Sequence, residues 1–153
     1  MNKIYAFEKY IFDTLKMSRL PCSTSSVSLL VMVAAHESGK LKYVQQMSGP
    51  ALGLFQMEPT TYVEVLDYAK RRKLLETKAY SLPPEAMIWD AKHAIRLARI
   101  FFMRFPENIP AVHNLQGLAR YAKKYWNTER GKATWTDYYE AYLEMRGKVD
   151  GVT

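Results

Sequence analysis

The sequence has few of the residues that build cross-links or metal sites. Its 153 residues include one cysteine, Cys22, which excludes an intramolecular disulfide and a cysteine-based metal site. The three histidines, His36, His93 and His113, are scattered and do not have the short spacing typical of metal ligands. We therefore predict a protein with no metal site and no cofactor.

Long apolar runs are also missing. The apolar stretch Val27–Ala35 is too short to cross a bilayer. The stretch from Met1 to Lys16 is amphipathic and carries charged residues along its length, unlike a secretion signal. We therefore expect no transmembrane segment and no signal peptide. Such a chain would be made in the cytoplasm and would need help to reach a substrate outside it.

Acidic residues are outnumbered, because 22 Lys and Arg face 15 Asp and Glu and give a net charge of +7. A cationic surface attracts polyanions such as nucleic acid, anionic membranes or bacterial wall polymers. The basic stretches Lys70–Lys73 and Lys123–Lys124 are most simply solvated helix ends, and no recognised nucleic-acid module accompanies them. We therefore predict no specific nucleic-acid partner.

Apolar residues recur at helical spacing through most of the chain, and no useful stretch alternates with a period of two. This pattern predicts an all-α single domain with about six helices. The predicted helices run from Lys3 to Met17, from Ser25 or Ser26 to Glu37, from Pro59 to Lys73, from Ile88 to Phe105, from Asn114 to Trp126 and from Thr136 to Met145. The candidate N-caps are Ser25 or Ser26, Asp90, and Thr134 or Thr136, and Gly39 is a candidate C-terminal cap.

The second predicted helix is apolar on nearly all sides, as is typical of a helix at the centre of a domain. Its last turn carries Glu37 out of this apolar surface. Because an ionised carboxylate is costly to bury, the surroundings favour the protonated form of Glu37. A protonated carboxylic acid beside a polar loop is what general-acid cleavage of a glycosidic bond requires. A lone glutamate near a helix end is otherwise most often a surface residue.

The connection Lys40–Glu58 is long for so small a chain, and connections of this length are usually functional. Within it, Gly53 permits a close backbone approach, and the amide of Gln56 can both donate and accept hydrogen bonds. Taken alone, the loop is equally an ordinary turn before a helix that begins at Pro59.

Together these segments resemble the soluble-type lytic transglycosylases, a lysozyme-like family related to goose-type lysozymes. That family has a catalytic Glu followed by Ser, a Gly-Leu-Met-Gln loop before a proline, and an aromatic-Asn pair near the end of a late helix that is followed by a glycine. The matching segments are Glu37-Ser38, then Gly53-Leu54-Phe55-Gln56 before Pro59, and Trp126-Asn127 with Gly131. They define a motif core from about residue 27 to 142, and the last segment is most similar to copies in bacteriophage virion proteins.

The resemblance implies a lysozyme-like fold with about six helices around the central apolar helix, and it implies that Glu37 is the catalytic residue. Ser38 and Gln56 would hold or orient the sugar. Gly53 and Phe55 would shape the wall of the cleft, with Phe55 in the place of the family's methionine.

The late motif departs further from the family pattern. Trp126 replaces a tyrosine, so the tyrosine hydroxyl that the resemblance implies near Glu37 would come from Tyr125 or Tyr121. Core packing is the competing interpretation of these two tyrosines, which are four residues apart on one helix. Asn127 would fix the far side of the substrate, and Trp126 would stack on a sugar ring.

In the reaction that the resemblance implies, Glu37 protonates the oxygen between N-acetylmuramic acid and N-acetylglucosamine in peptidoglycan. The substrate's acetamido group stabilises the positive sugar centre, and the Glu37 carboxylate then activates the muramic 6-hydroxyl to close a 1,6-anhydro ring. Hydrolysing glycosidases generally use two carboxylates. Glu58 stands where the family has an apolar residue, so a Glu58 that reaches the cleft would position a water and make the product hydrolytic.

We therefore expect a peptidoglycan lytic transglycosylase that belongs to a phage particle or to its lysis equipment and acts at the bacterial cell wall. Its expected partners are peptidoglycan glycan strands and phage virion or tail proteins. Three alternatives stay open: a hydrolytic muramidase of the same fold, a catalytically inactive virion structural or assembly protein, and a peptidoglycan-binding module without catalysis.

Overall fold

Helix α2, Thr24–Glu37, is the central helix of this computed structural model, which describes residues 3–39 and 51–149. All residues from Ser26 to Ala35 are buried, as the apolar pattern predicts. The N-cap is Ser23, whose side chain accepts a hydrogen bond from the Ser26 amide while the Ser26 hydroxyl accepts one from the Ser23 amide. The assignment of the cap to Ser25 or Ser26 is therefore wrong, because Ser26 is the reciprocal partner in this capping box.

The described residues form seven α-helices and no strand, which confirms the prediction of an all-α chain. The helices are α1 (Lys3–Met17), α2 (Thr24–Glu37), α3 (Pro59–Arg72), α4 (Ala86–Trp89), α5 (Ala91–Met103), α6 (Leu115–Ala122) and α7 (Trp135–Val149). A 3₁₀ turn spans Thr77–Ser81, and a π-helical turn, Lys123–Asn127, continues α6. Within the described ranges no helix is both long and apolar enough to span a bilayer.

The predicted helix Ile88–Phe105 is two helices, which accounts for a seventh helix where about six are predicted. Helix α4 ends at Trp89, and the backbone of Asp90 is extended. The Asp90 side chain accepts a hydrogen bond from the His93 amide at 3.0 Å and thereby caps α5, as predicted.

The other helix ends follow local rules. Pro59 is the first residue of α3, where its missing N–H costs nothing. Gly39 has a φ of 58° directly after α2, in agreement with its predicted role at that end. Thr134 directly precedes α7 and donates its amide to Asp137 Oδ2 at 2.7 Å, whereas Thr136 lies inside the helix and does not cap it.

Helix α2 packs against α1, α5, α6 and α7, and α3 packs against α5. Helices α2 and α7 run antiparallel: Glu37 contacts Tyr138 at one end, while Val27 and Arg146 line a shared cavity at the other. This arrangement places the C-terminal end of α2 beside the first turns of α7. Of the predicted connection Lys40–Glu58, residues 40–50 lie outside the described part of the chain.

Candidate active site

Glu37 is the last residue of α2, and its carboxyl group is held by a tyrosine from α7. The Tyr138 hydroxyl donates to Glu37 Oε1 at 2.6 Å, and the Tyr138 side chain is completely buried. Burial raises the pKa of Glu37, and the Tyr138 hydrogen bond opposes the rise without cancelling it. The surroundings therefore favour a protonated carboxyl group, in the direction that the apolar pattern of α2 predicts.

Asn127 extends this contact into a chain of polar groups. Burial raises the pKa of Tyr138, while a hydrogen bond from the Asn127 side chain lowers it. Lys123 Nζ donates to Asn127 Oδ1 at 2.6 Å, which assigns the amide NH₂ to the Tyr138 side. The chain Asn127–Tyr138–Glu37 thus links the late motif to the predicted acid.

The backbone around Asn127 has two irregular features that fix this side chain. Residues Lys123–Asn127 form a π-helical turn, and Thr128 follows with a φ of 66°. A Cβ atom at Gly131 would lie 2.1 Å from Asn127 Oδ1, so the Asn127 side chain occupies the space that only a glycine leaves. Lys123 also donates to the Thr128 and Gly131 carbonyls and closes the loop. Such π turns and strained residues concentrate at functional sites.

The loop with the second motif is a tight turn against α4. The Leu52 and Met57 backbones pair at 2.9 and 3.1 Å, and Gly53 has a φ of 82°. A Cβ atom at Gly53 would lie 2.7 Å from the Met87 carbonyl oxygen, so both conformation and space require glycine there. Gln56 Nε2 donates to the Gly53 carbonyl at 2.7 Å, while Gln56 Oε1 has no partner within the described ranges.

Aromatic contacts join this loop to the late motif. The Phe55 ring lies 6.3 Å from the Trp126 ring, and Trp126 in turn packs at 4.5 Å from Phe101 and 5.6 Å from Phe102, measured between centroids. Phe55 is almost completely buried, so it supports the loop from inside. The half-buried Trp126 keeps part of its surface open. The three motif segments therefore meet in one region of the molecule.

Two predicted tyrosines do not reach Glu37. The Tyr125 hydroxyl donates to Glu107 Oε1 at 2.7 Å, and the Tyr121 hydroxyl donates to the Glu107 carbonyl at 3.1 Å. The prediction that one of them supplies the hydroxyl beside Glu37 is wrong, because that hydroxyl belongs to Tyr138.

Two further predicted residues have other roles in the structure. Ser38 is completely buried, and its hydroxyl donates to the Ala34 carbonyl, so it supports the end of α2 and presents no hydroxyl to a ligand. Glu58 is exposed at the N-cap of α3 and makes no capping hydrogen bond. Glu58 makes no described contact with Glu37.

Sequence reasoning missed Tyr138 and Lys123. Tyr138 and Tyr142 are four residues apart on the buried face of α7, so a tyrosine on the inner face of the last predicted helix was the available signal. Lys123 lies one helical turn before Asn127, where a long cationic side chain reaches a loop that follows a helix.

Across residues 3–39 and 51–149, no group of three His, Cys, Asp or Glu residues could hold a metal ion.

The site can carry out proton transfer at one carboxyl group. Glu37 Oε1 is occupied by the Tyr138 hydroxyl, and Oε2 has no hydrogen-bond partner in the part of the chain that the structure describes. A protonated Oε2 can donate to a bound oxygen, and the resulting carboxylate can take a proton back.

No protein-family model, curated protein or solved structure matches this sequence.

Proposed function

We propose that this protein is a peptidoglycan lytic transglycosylase with a lysozyme-like fold, in which Glu37 is first the general acid and then the general base. The observation that carries the proposal is the contact between Glu37 and Tyr138, where a carboxyl group with a raised pKa is held at one oxygen. Asn127 adjoins this contact, and its neighbour Trp126 packs against Phe55 of the second motif, as expected from the resemblance of the three motif segments to that family.

In the first step, Glu37 Oε2 donates its proton to the oxygen that links N-acetylmuramic acid to N-acetylglucosamine, and the glycosidic bond breaks. Negative charge then develops on the Glu37 carboxylate. Tyr138 is completely buried and its pKa is raised, so it keeps its proton and remains a hydrogen-bond donor. A donor that is already in place stabilises charge as it forms, because it needs no reorganisation.

In the second step, the Glu37 carboxylate removes the proton from the muramic 6-hydroxyl, whose oxygen attacks the anomeric carbon and closes the 1,6-anhydro ring. The acid is regenerated, and no water is consumed. The substrate's acetamido group supports the positive sugar centre between the two steps.

A second carboxylate, Asp137, acts electrostatically on Tyr138 and His36, and it accepts a hydrogen bond from the Thr134 amide. Burial and the Tyr138 hydrogen bond account for the shift in the Glu37 pKa, and no described carboxylate contributes to it. The sequence of residues 40–50 contains no Asp or Glu. Exposed Glu58 is the alternative second carboxylate, and a water-using muramidase would need it or another carboxylate within about 10 Å of Glu37.

The proposed substrate is the glycan strand of peptidoglycan, and the proposed place of action is the bacterial wall, reached as part of a phage particle or its lysis equipment. The net charge of +7 supports attraction to anionic wall polymers. The late motif Trp126-Asn127, with its trailing Gly131, supports the association with virion proteins through its resemblance to their copies.

The test is digestion of isolated bacterial peptidoglycan with the wild-type chain and with Glu37→Gln, followed by mass analysis of the released muropeptides. Glutamine keeps the size of the side chain and removes its acidic proton. We expect fragments that end in 1,6-anhydromuramic acid from the wild type and none from the variant.

Two other outcomes would contradict the proposal. Fragments heavier by one water would identify a muramidase and direct attention to Glu58. A folded wild-type protein that releases nothing from several wall types, with or without binding to them, would favour a virion assembly protein or a wall-binding module.

A further inference from the structure

A polar cavity of about 420 Å³ lies at the N-terminal end of α2, away from Glu37. The residues that line it include Ser23 and Ser25, Arg99 of α5, Glu107 and Tyr121. The 14 residues of α2 separate this cavity from the candidate active site by roughly 20 Å along the helix. The proposed cleavage chemistry makes no use of it.

Arg99 is the unusual residue of this cavity. Its side chain is largely buried, with the residue only 9% exposed, and its Nε donates to the Pro21 carbonyl at 2.8 Å. Its two Nη groups have no hydrogen-bond partner and no carboxylate partner within the described residues. Burial lowers the pKa of Arg99, and the groups that oppose this are the hydroxyl of Tyr121 and the thiol of Cys22. The unpaired Nη groups are not buried, so they face the open space of the cavity, where an anion can pair with the guanidinium.

Two serines of the cavity supply further donors. Ser23 Oγ accepts a hydrogen bond from the Ser26 amide, which leaves its own hydrogen able to donate elsewhere. The Ser25 hydroxyl makes no hydrogen bond to any residue that the structure describes. Both serines lie where the first-turn amides of α2 point outward with the positive end of the helix dipole.

The one acidic residue of the cavity already has a cationic partner. Glu107 Oε1 accepts hydrogen bonds from Lys124 Nζ at 2.6 Å and from the Tyr125 hydroxyl at 2.7 Å, and these bonds lower its pKa. Glu107 forms no ion pair with Arg99. The uncompensated charge in the cavity is therefore positive.

We infer that this cavity binds a phosphate group, either as the free ion or as a phosphate monoester. The two Nη groups of Arg99 would take two of its oxygens, and Ser23, Ser25 and the first turn of α2 would take the others. A carboxylate has only two oxygens, which the arginine alone would occupy, whereas a tetrahedral phosphate can use the arginine and the serine donors together.

The test is calorimetric titration of the full chain with inorganic phosphate at constant ionic strength. We expect one saturable site, and we expect Arg99→Gln to weaken phosphate binding by about tenfold or more. Arg96→Gln is the matched control, because Arg96 lies on the same helix, carries the same charge and donates to Ser18 Oγ outside the cavity. Its affinity should stay within about twofold of wild type. Absence of saturable binding, or an equal loss in both variants, would overturn the inference.

Ser25→Asp tests the site independently of any folding defect in Arg99→Gln. An acidic residue in the first turn of a helix favours the helix, so the thermal midpoint should hold or rise, while the new charge should repel phosphate. An unchanged phosphate affinity in Ser25→Asp would contradict the site.

Further titrations identify the source of the phosphate. Equal affinity for glycerol 3-phosphate would indicate an ester, and binding of inorganic phosphate alone would indicate the free ion. Acetate binding as tight as phosphate would contradict a phosphate site. None of these measurements depends on glycan cleavage, so they are independent of the proposed function.

Discussion

Glu37 and Glu107 each accept a hydrogen bond from a tyrosine, and their pKa values move in opposite directions. Tyr138 donates to Glu37 at 2.6 Å, and Tyr125 donates to Glu107 at 2.7 Å. The pKa of Glu37 is raised because burial outweighs the hydrogen bond. The pKa of Glu107 is lowered because Lys124 and Tyr125 both donate hydrogen bonds to its exposed carboxylate, where burial is too slight to offset them.

The comparison shows that the tyrosine does not by itself decide which glutamate can be an acid. In both pairs the tyrosine hydroxyl favours the ionised carboxylate, and the surroundings determine the outcome. Glu37 lies at the end of a buried, largely apolar helix, whereas Glu107 lies on the surface beside a lysine. An acid that must be protonated near neutral pH requires the first kind of surroundings.

The largest difference between the two pairs should be in catalysis. We expect Glu37→Gln to lower the rate of muropeptide release by about a thousandfold or more, because general-acid catalysis is lost. Glu107→Gln makes the same chemical change and should leave the rate within about twofold of wild type. The measurement is the initial rate of fragment release from isolated peptidoglycan. Equal losses in the two variants would refute the assignment of Glu37.

Removing each tyrosine hydroxyl separates the pairs further. Tyr138→Phe should lower the rate by roughly tenfold to a hundredfold, because the developing carboxylate loses its donor. The Tyr138 hydrogen bond lowers the Glu37 pKa, so its loss should raise that pKa and move the alkaline limb of the pH–rate profile to higher pH. Tyr125→Phe should leave the profile in place, and a downward shift in Tyr138→Phe would contradict this scheme.

A smaller effect is expected from the glycine that makes room for Asn127. In Gly131→Ala the new Cβ would displace the Asn127 side chain, weaken its hold on Tyr138 and reduce the rate several-fold. Gly117→Ala is a matched control, since its Cβ would meet the Asn114 side chain at 2.4 Å. Asn114 caps α6, so this second change should affect thermal stability and leave the rate per folded molecule unchanged.

The smallest predicted effect is on the pH dependence of stability. Because folding raises the Glu37 pKa, the stability that Glu37 contributes is present below its unfolded pKa of about 4.3 and is lost as pH rises through the folded pKa. Glu37→Gln should therefore raise the thermal midpoint near pH 7 by roughly 2–4 °C and leave it unchanged near pH 3.

Glu107 should behave in the opposite sense. Its folded pKa is lowered, so its contribution is present above the unfolded pKa and is lost as pH falls through the folded value. Glu107→Gln should therefore lower the midpoint slightly near pH 7. Thermal scans of both variants at the two pH values measure the two signs, and identical signs would contradict the comparison.

The sequence predicts α2 and the state of Glu37 well, because both depend on local pattern. Apart from Ser28, the residues from Val27 to Ala35 are apolar, which indicates a central helix, and a carboxyl group at its end must be partly buried. Asp90 also follows a local rule, since a short acidic side chain caps a helix start.

The partner of Glu37 could not be predicted in the same way. Tyr138 reaches Glu37 only because α7 packs antiparallel on α2, and no local pattern encodes that orientation. The motif residue Trp126 led us to predict Tyr125 or Tyr121 as the partner, but both hydroxyls donate to Glu107 instead. Helical periodicity likewise predicted one helix from Ile88 to Phe105, although the extended backbone at Asp90 divides this segment into two.

The hydrogen bond between Glu37 and Tyr138 joins positions 101 residues apart, and Tyr138 lies on the last helix described. Because synthesis runs from the N-terminus, a ribosome translates the acid early and its hydrogen-bond donor late. A copy interrupted before Trp135 would carry Glu37 without the hydroxyl that stabilises its charge. For the proposed wall-cleaving activity, the order of synthesis therefore means that incompletely translated chains lack the assembled site.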